Sequence, residues 1–260
     1  MSVSSGTVVK TGCCGFPVSR EKYWQVFKLV EVQQTFYRLP RLETARKWRA
    51  AAPADFEFTL KAWQGVTHPA TSPTYRRLGR PLSEAEKAGL GLFRPTRVVL
   101  EAWQATLEVA RALEARVVVF QCPPALKETP ETVQNLEAFF SRIERDRLQL
   151  AIEFRAPWRA ETVGRLCRKL GLVHCVDPFK EPALAGTFRY YRLHGSPPGK
   201  QMYRYRYHPA DFDFLAGRIR EDLAAGFSVY CLFNNLSMWE DARAFRERLL
   251  SSGTGDAEVI

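Results

Sequence analysis

Short runs rich in β-branched and aromatic residues recur along the chain, separated by stretches with apolar positions three or four apart. The runs are VVKTGCC (8–14), LVEVQ (29–33), FEFTLKA (56–62), ARVVVFQ (115–121), LQLAIEF (148–154), GLVHCVD (171–177), FRYYRLH (188–194) and FSVYCLF (227–233). Their length and β-branched content predict strands. The stretches between them predict helices. SREKYWQVF follows the first run, and LETARKWRAA, after Pro40, sets Leu42, Ala45 and Trp48 at helical spacing. SEAEKAGL precedes the long TRVVLEAWQATLEVARALE, and TPETVQNLEAFFSRIERDR opens on a Thr-Pro-Glu start signal. AETVGRLCRKLG and DFDFLAGRIREDLAAG end on Gly171 and Gly226, and MWEDARAFRERLL comes last.

Strands alternating with helices predict a parallel sheet, and eight such units in roughly 250 residues predict an α/β fold of the (β/α)8, or TIM-barrel, class. A doubly wound open sheet is the competitor, but no G-x-G-x-x-G follows the first run. Residues 1–250 read as a single domain, and the Ser/Gly-rich 251–260 as a frayed tail. The segment 68–97, rich in Pro, Thr, Ser and Arg, reads as a long insertion after the third strand. It is either a lid or binding loop, or a tolerated surface excursion.

The chain of 260 residues is 46% hydrophobic and 25% charged, an ordinary globular composition. No apolar run approaches the roughly 18 residues of a membrane span, and MSVSSGTVVK lacks a basic and then apolar leader. A cytoplasmic protein with no membrane partner is expected. Lys plus Arg exceed Asp plus Glu by 38 to 28, which favours polyanionic partners such as DNA or RNA and equally fits a solvated basic surface. The six cysteines form no C-x-x-C pair, and most sit in apolar surroundings as small hydrophobes. Vicinal Cys13 and Cys14, at a strand end, are the exception, and a metal, cluster or disulfide role there stays open.

Active sites of (β/α)8 barrels lie at the C-terminal ends of the strands, and here those ends are polar. They carry Glu31 and Gln33, Lys61, Gln121, Glu153 and Arg155, Asp177, Arg192 and His194, and Asn234 and Asn235. Residues two apart on a strand share a face, so Glu31 with Gln33, Glu153 with Arg155, and Arg192 with His194 point together. If those faces look inward, charges of both signs gather at a barrel mouth, where they must pair or bind something. A structural salt-bridge network, for instance Glu153 with Arg192, is the alternative to a site. His194 suits general acid or base catalysis, and Glu31 and Glu153 suit a base or the ligands of a single divalent metal. Lys61, Arg155 and Arg192 suit phosphate or carboxylate binding, and Asn234 and Asn235 the orientation of a substrate oxygen. With four histidines and no H-x-H or HExxH, a histidine-rich metal centre is not expected. No nucleotide cofactor is expected either, since no Walker loop is present. After GSPPGKQ, the segment MYRYRY, if extended, sets Tyr203, Tyr205 and Tyr207 on one side and Arg204 and Arg206 on the other, suited to stacking and phosphate contact; a packed loop with solvated arginines is the equal alternative.

In order and spacing, VEVQQTFYRLP (30–40), FTLKAWQGVTH (58–68), AIEFRAPWR (151–159), YYRLHG (190–195) and CLFNN (231–235) resemble the DUF72, or YecE-like, family over nearly the whole chain. GCCGFP, where the family usually opens on Gly-Ser-Gly-Trp, and KAWQGVTH resemble an archaeal-type branch; Gln33 stands where much of the family has Asn. The resemblance implies a TIM barrel of the xylose isomerase and endonuclease IV group, but the family's activity is unknown. By motif match it adds His68 to Glu31, Lys61, Glu153, Arg155, Arg192, His194, Asn234 and Asn235. The endonuclease's many metal ligands have no counterpart here. The leading expectation is an enzyme that hydrolyses phosphodiesters in nucleic acid. His194, Glu153 and Glu31 would be catalytic, and Lys61, His68, Arg155, Arg192, Asn234, Asn235 and Tyr203–Arg206 would bind. The alternatives are an isomerase or lyase of a sugar or sugar phosphate, and a non-catalytic nucleic-acid-binding protein.

Overall fold

The computed structural model describes residues 6–196, 201–252 and 258–260. Each of the eight runs forms a strand: β1 Val8–Cys13, β2 Leu29–Val32, β3 Glu57–Lys61, β4 Val117–Gln121, β5 Gln149–Glu153, β6 Val173–Val176, β7 Arg189–Leu193 and β8 Val229–Phe233. The hydrogen-bonded order runs β2-β3-β4-β5-β6-β7-β8-β1, and a β2–β1 pairing closes it. The chain is a (β/α)8 TIM barrel. Its strands are buried along most of their length, β8 throughout, because a parallel sheet of this class is covered on both faces.

By compactness the chain divides into two units: Met1–Glu31, Cys175–Ala183 and Thr187–Ile260 in the first, Val32–His174 and Leu184–Gly186 in the second. In the first, helices α1 (Arg20–Trp24), α9 (Pro209–Ala224) and α10 (Met238–Ser252) accompany the strands. Tyr23 of α1 packs with Phe27 and Trp239, and its hydroxyl donates to Leu29 O at 2.7 Å while accepting from Cys13 N–H at 2.8 Å. That tie needs Gly12, because a Cβ there would stand 2.3 Å from Leu29 O. The tail departs from expectation: Glu258–Val259 form a short parallel strand, β9, on β1. β1 meets β2 only from Gly12 onward. β9 takes up the β1 edge ahead of that point, and Thr11 N–H donates to Ile260 O at 2.9 Å.

In the second unit the remaining helices are α2 (Gln34–Tyr37), α3 (Leu42–Ala51), α4 (Gln64–Thr67), α5 (Glu84–Gly89), α6 (Arg97–Ala112), α7 (Pro130–Arg142) and α8 (Ala160–Leu170). Their starts follow the sequence signals. Ser83 and Glu86 make a capping box at α5, and the hydroxyls of Thr96 and Thr129 cap α6 and α7. The segment 68–97 is folded rather than open. It contains a 3-10 turn (Pro73–Arg77) and α5, and it ends by burying Phe93 completely against Phe120, Phe139 and Phe140. Gly91, Leu92 and Phe93 all have positive φ, of 84°, 56° and 52°. Left-handed Leu and Phe cost on the order of 1–3 kcal/mol each. Offsetting this, the three N–H groups donate to the carbonyls of Gly65, Thr67 and Val66. Phe93→Ala should therefore lower the unfolding free energy by about 3–5 kcal/mol. Leu236→Ala, at a side chain 75% exposed, should change it by less than about 0.5 kcal/mol. Urea unfolding of both variants checks this, and equal effects would show that the insertion is not part of the core.

Candidate functional site

In the first unit, alternation along β7 sends Tyr190 and Arg192 to one face, with His194 just past the strand end. Arg192 and Glu31 both have 0% exposure, and Arg192 Nη2 lies 3.0 Å from Glu31 Oε1. Tyr190 donates its phenol proton to Glu31 Oε2 at 2.9 Å. Cys14 belongs to the same cluster: burial pushes its thiol well up, Glu31 adds to this, and Arg192 opposes it. Glu31 and Arg192, expected as a catalytic carboxylate and an anion fork, thus form a buried ion pair with each other. All six cysteines are buried thiols outside any disulfide.

His194 is also buried, and three neighbours fix it. The Asn234 side-chain amide lies 2.9 Å from Nδ1, the His194 N–H donates to Asp177 Oδ2 at 3.3 Å, and Tyr203 packs edge-on with ring centroids 5.9 Å apart. Lys180 Nζ sits 3.0 Å from the same Asp177 oxygen. Asn235 does different work: its amide donates to Tyr205 O at 2.8 Å and to Asp241 Oδ2 at 2.6 Å, tying the 205 segment to α10. Of the two readings of 203–207, the structure shows the packed loop and not the extended ribbon. Met202–Arg204 form a 3-10 turn, Tyr205 donates to Asp211, and Tyr207 is buried, its hydroxyl accepting from Gly195 N–H. Gly195 has φ +93°, and a Cβ there would stand 2.1 Å from Met202 O, so only glycine lets this turn fold back. Tyr203, Arg204 and Arg206 remain exposed.

In the second unit, Lys61 at the end of β3 holds its ammonium 3.6 Å from the centroid of the Phe36 ring. His68 meets the same ring edge-on at 4.8 Å, and Thr67 Oγ1 lies 2.7 Å from its Nδ1. Burial, reinforced by the Lys61 charge, lowers the His68 pKa to about 3. Glu153 pairs with Arg155 at 2.7 Å, and Arg155 also reaches Gln121 Oε1 at 3.4 Å. His174, in β6, accepts at Nδ1 from Leu184 N–H, and burial lowers its pKa to about 4, against the pull of Glu153. Sequence reasoning missed Tyr190 as the brace of Glu31 and Phe36 as the platform of Lys61. Alternation with Arg192, and the FYR of the second motif, were the available signals. Among the described residues no three His, Cys, Asp or Glu side chains are grouped to hold a metal ion. No helix among them is long and apolar enough to cross a membrane.

Residues 19–257 match the family described as a protein of unknown function, DUF72. The chain belongs to the DUF72 family. Solved DUF72 structures from Enterococcus faecalis V583 and Thermotoga maritima MSB8 are similar to it. The first is 20% identical with TM-score 0.72, covering 94% of this chain and 98% of that one. The second is 21% identical with TM-score 0.66, covering 94% and 99%. Endonuclease IV from Thermus thermophilus shares the fold at 15% identity and TM-score 0.55, over 93% of this chain and 99% of its own. No curated protein matches the chain.

Two stability measurements probe this DUF72 chain. Arg192→Met and Glu31→Gln should each cost about 3–5 kcal/mol, because each strands a buried charge or its partner, and the double variant should recover much of the loss. Additive losses in urea unfolding would show that the two groups are not coupled. His68 and His174 stay neutral when folded, whereas unfolding returns them to the ordinary value of 6.5. The unfolded chain therefore binds more protons below that pH. Stability is full above it and falls toward about pH 3–4, by about 1.4 kcal/mol per pH unit per histidine. His68→Gln should flatten that slope between about pH 6.5 and 4.5; an unchanged slope would mean that His68 is protonated in the fold.

Proposed function

We propose that this protein is an enzyme acting on a phosphate-containing substrate, and specifically that it hydrolyses phosphodiester bonds in nucleic acid with His194 as general acid and base. The observation that carries the reading is the bond between Asn234 and His194. The Asn234 side-chain amide meets His194 Nδ1 at 2.9 Å and so fixes the orientation of the ring, with proton exchange assigned to Nε2. A histidine held in one orientation at the C-terminal end of a barrel strand is placed for proton transfer. In the reaction, neutral His194 Nε2 takes a proton from the attacking water as the water oxygen bonds to phosphorus, and the imidazolium so formed gives that proton to the leaving oxygen as its bond to phosphorus breaks. Asn234 and Asp177 are positioning residues. Exposed Arg204 and Arg206, with Tyr203 against the histidine ring, supply the groups that meet a polyanion near His194. The excess of basic over acidic residues supports the same substrate class.

End-labelled single- and double-stranded DNA and RNA, incubated with wild type, His194→Ala and Asn234→Ala, test the proposal. Wild type should cleave at least one of them. His194→Ala should lose about 10²–10⁴ in rate, and Asn234→Ala should lose less while shifting the pH profile of kcat. Cleavage undiminished in His194→Ala would overturn the reading. Binding without turnover would make the protein a non-catalytic nucleic-acid binder, and turnover confined to a sugar phosphate would select an isomerase or lyase.

A further inference from the structure

The second unit carries a cleft of about 960 Å³ between the end of α2, the start of α3 and the 3-10 turn of the insertion. Arg38, Arg41 and Arg77 line it together with Tyr37 and Trp48, and no carboxylate does. All three arginines are exposed. The acidic residue of that stretch, Glu43, is paired with Lys47 at 2.7 Å. Other clefts of the chain are charged differently. Arg111 and Arg116 share theirs with Glu57, Glu114 and Asp146, and Lys180 and Arg218 share theirs with Glu181, Asp213 and Glu221. Arg159 and Arg165 flank Glu128 in another. Among these clefts of the described residues, the α2–α3 cleft is the one lined by cations without a carboxylate, although Arg38 also borders a neighbouring cavity with Glu86 and Glu101.

Its aromatic groups indicate what kind of anion it suits. The Arg77 guanidinium carbon lies over the Tyr37 ring, 3.6 Å from its centroid. A planar cation so placed and exposed can offer its other face to a further ring. Trp48, half-buried, adds a second aromatic surface in the same cleft. Inorganic phosphate or an anionic membrane would use the charges and leave the rings unused. A single-stranded nucleic acid uses both, with phosphates on the arginines and unpaired bases on the Arg77–Tyr37 stack and Trp48. A duplex keeps its bases paired and out of reach of such faces.

We infer that the Arg38–Arg41–Arg77 cleft is a binding site for single-stranded nucleic acid, a partner surface for the substrate class on which the proposed function also rests. Fluorescence anisotropy of a labelled oligothymidylate about ten nucleotides long, titrated with the intact protein over a range of NaCl, tests it without any need for cleavage. Counterion release predicts that each of Arg38→Ala, Arg41→Ala and Arg77→Ala lowers the slope of log K against log salt by about 0.7, and the triple variant by about 2. Arg77→Lys keeps the charge and loses the plane, so it should keep the slope and bind several-fold more weakly. Arg97→Ala and Arg165→Ala, outside the cleft, should change neither. Unaltered slopes in the three alanine variants would overturn the proposal, as would a duplex of equal length binding as tightly as the single strand. Thermal unfolding confirms that the exposed arginine variants are folded. Salt-sensitive binding through the cleft with no cleavage would sink the hydrolase reading and leave this one standing. Cleavage unaffected in affinity by the cleft variants would do the reverse.

Discussion

Two opposite charges shut away from water govern the first unit. Burying Glu31 and Arg192 costs several kcal/mol per ion, offset only when they face each other in good geometry and are otherwise hydrogen-bonded. Tyr190 supplies one of those bonds. The pair also fixes alignment. A slip of β7 by one residue would turn Tyr190 and Arg192 to the opposite face and leave Glu31 alone in the interior. The position of His194 follows from the same constraint, because it lies two residues beyond Arg192 and has its ring met by Asn234. The residue proposed to move protons is thus placed by residues that do not.

His194 and His68 show two ways of handling an imidazole. His194 is held by directed bonds to its ring and its backbone, which set the orientation of the ring. His68 is held neutral by its surroundings, with burial first and the nearby ammonium of Lys61 second. Phe36 serves both partners of the second cluster, its face to Lys61 and its ring against His68. A charge resting on an aromatic face is less hydrated than one in water, which suits Lys61 to a fixed place beside a buried ring.

The fold was largely legible in the sequence because burial on both strand faces writes itself as short apolar runs, and each of the eight observed strands lies inside its expected run. Helix starts were legible for the same local reason: Ser83, Thr96 and Thr129 stand where capping requires them. What lay beyond reach depended on who meets whom. Alternation says that Glu153 and Arg192 are polar strand-end residues, but not that Arg155 closes on Glu153 while Arg192 goes to Glu31. Tyr205 and Tyr207 read as a display of rings, yet Asp211 and Gly195, six and twelve residues away, draw them into the structure. β9 escaped notice because two residues are too few to carry a pattern, and their place depends on the β1 edge left beside the start of β2.

The segment between β3 and α6 looked like an addition to a finished barrel. Its left-handed run at Gly91–Phe93 clamps the carbonyls of Gly65–Thr67, and Phe93 fills the space among Phe120, Phe139 and Phe140. A trimmed barrel that joins β3 to α6 by a short linker is therefore not open to this sequence. Excising the segment would leave three core rings facing a void and would free the loop that ends in His68. In this chain the excursion is a structural member, and shortening it would require redesign of the α6 and α7 faces it completes.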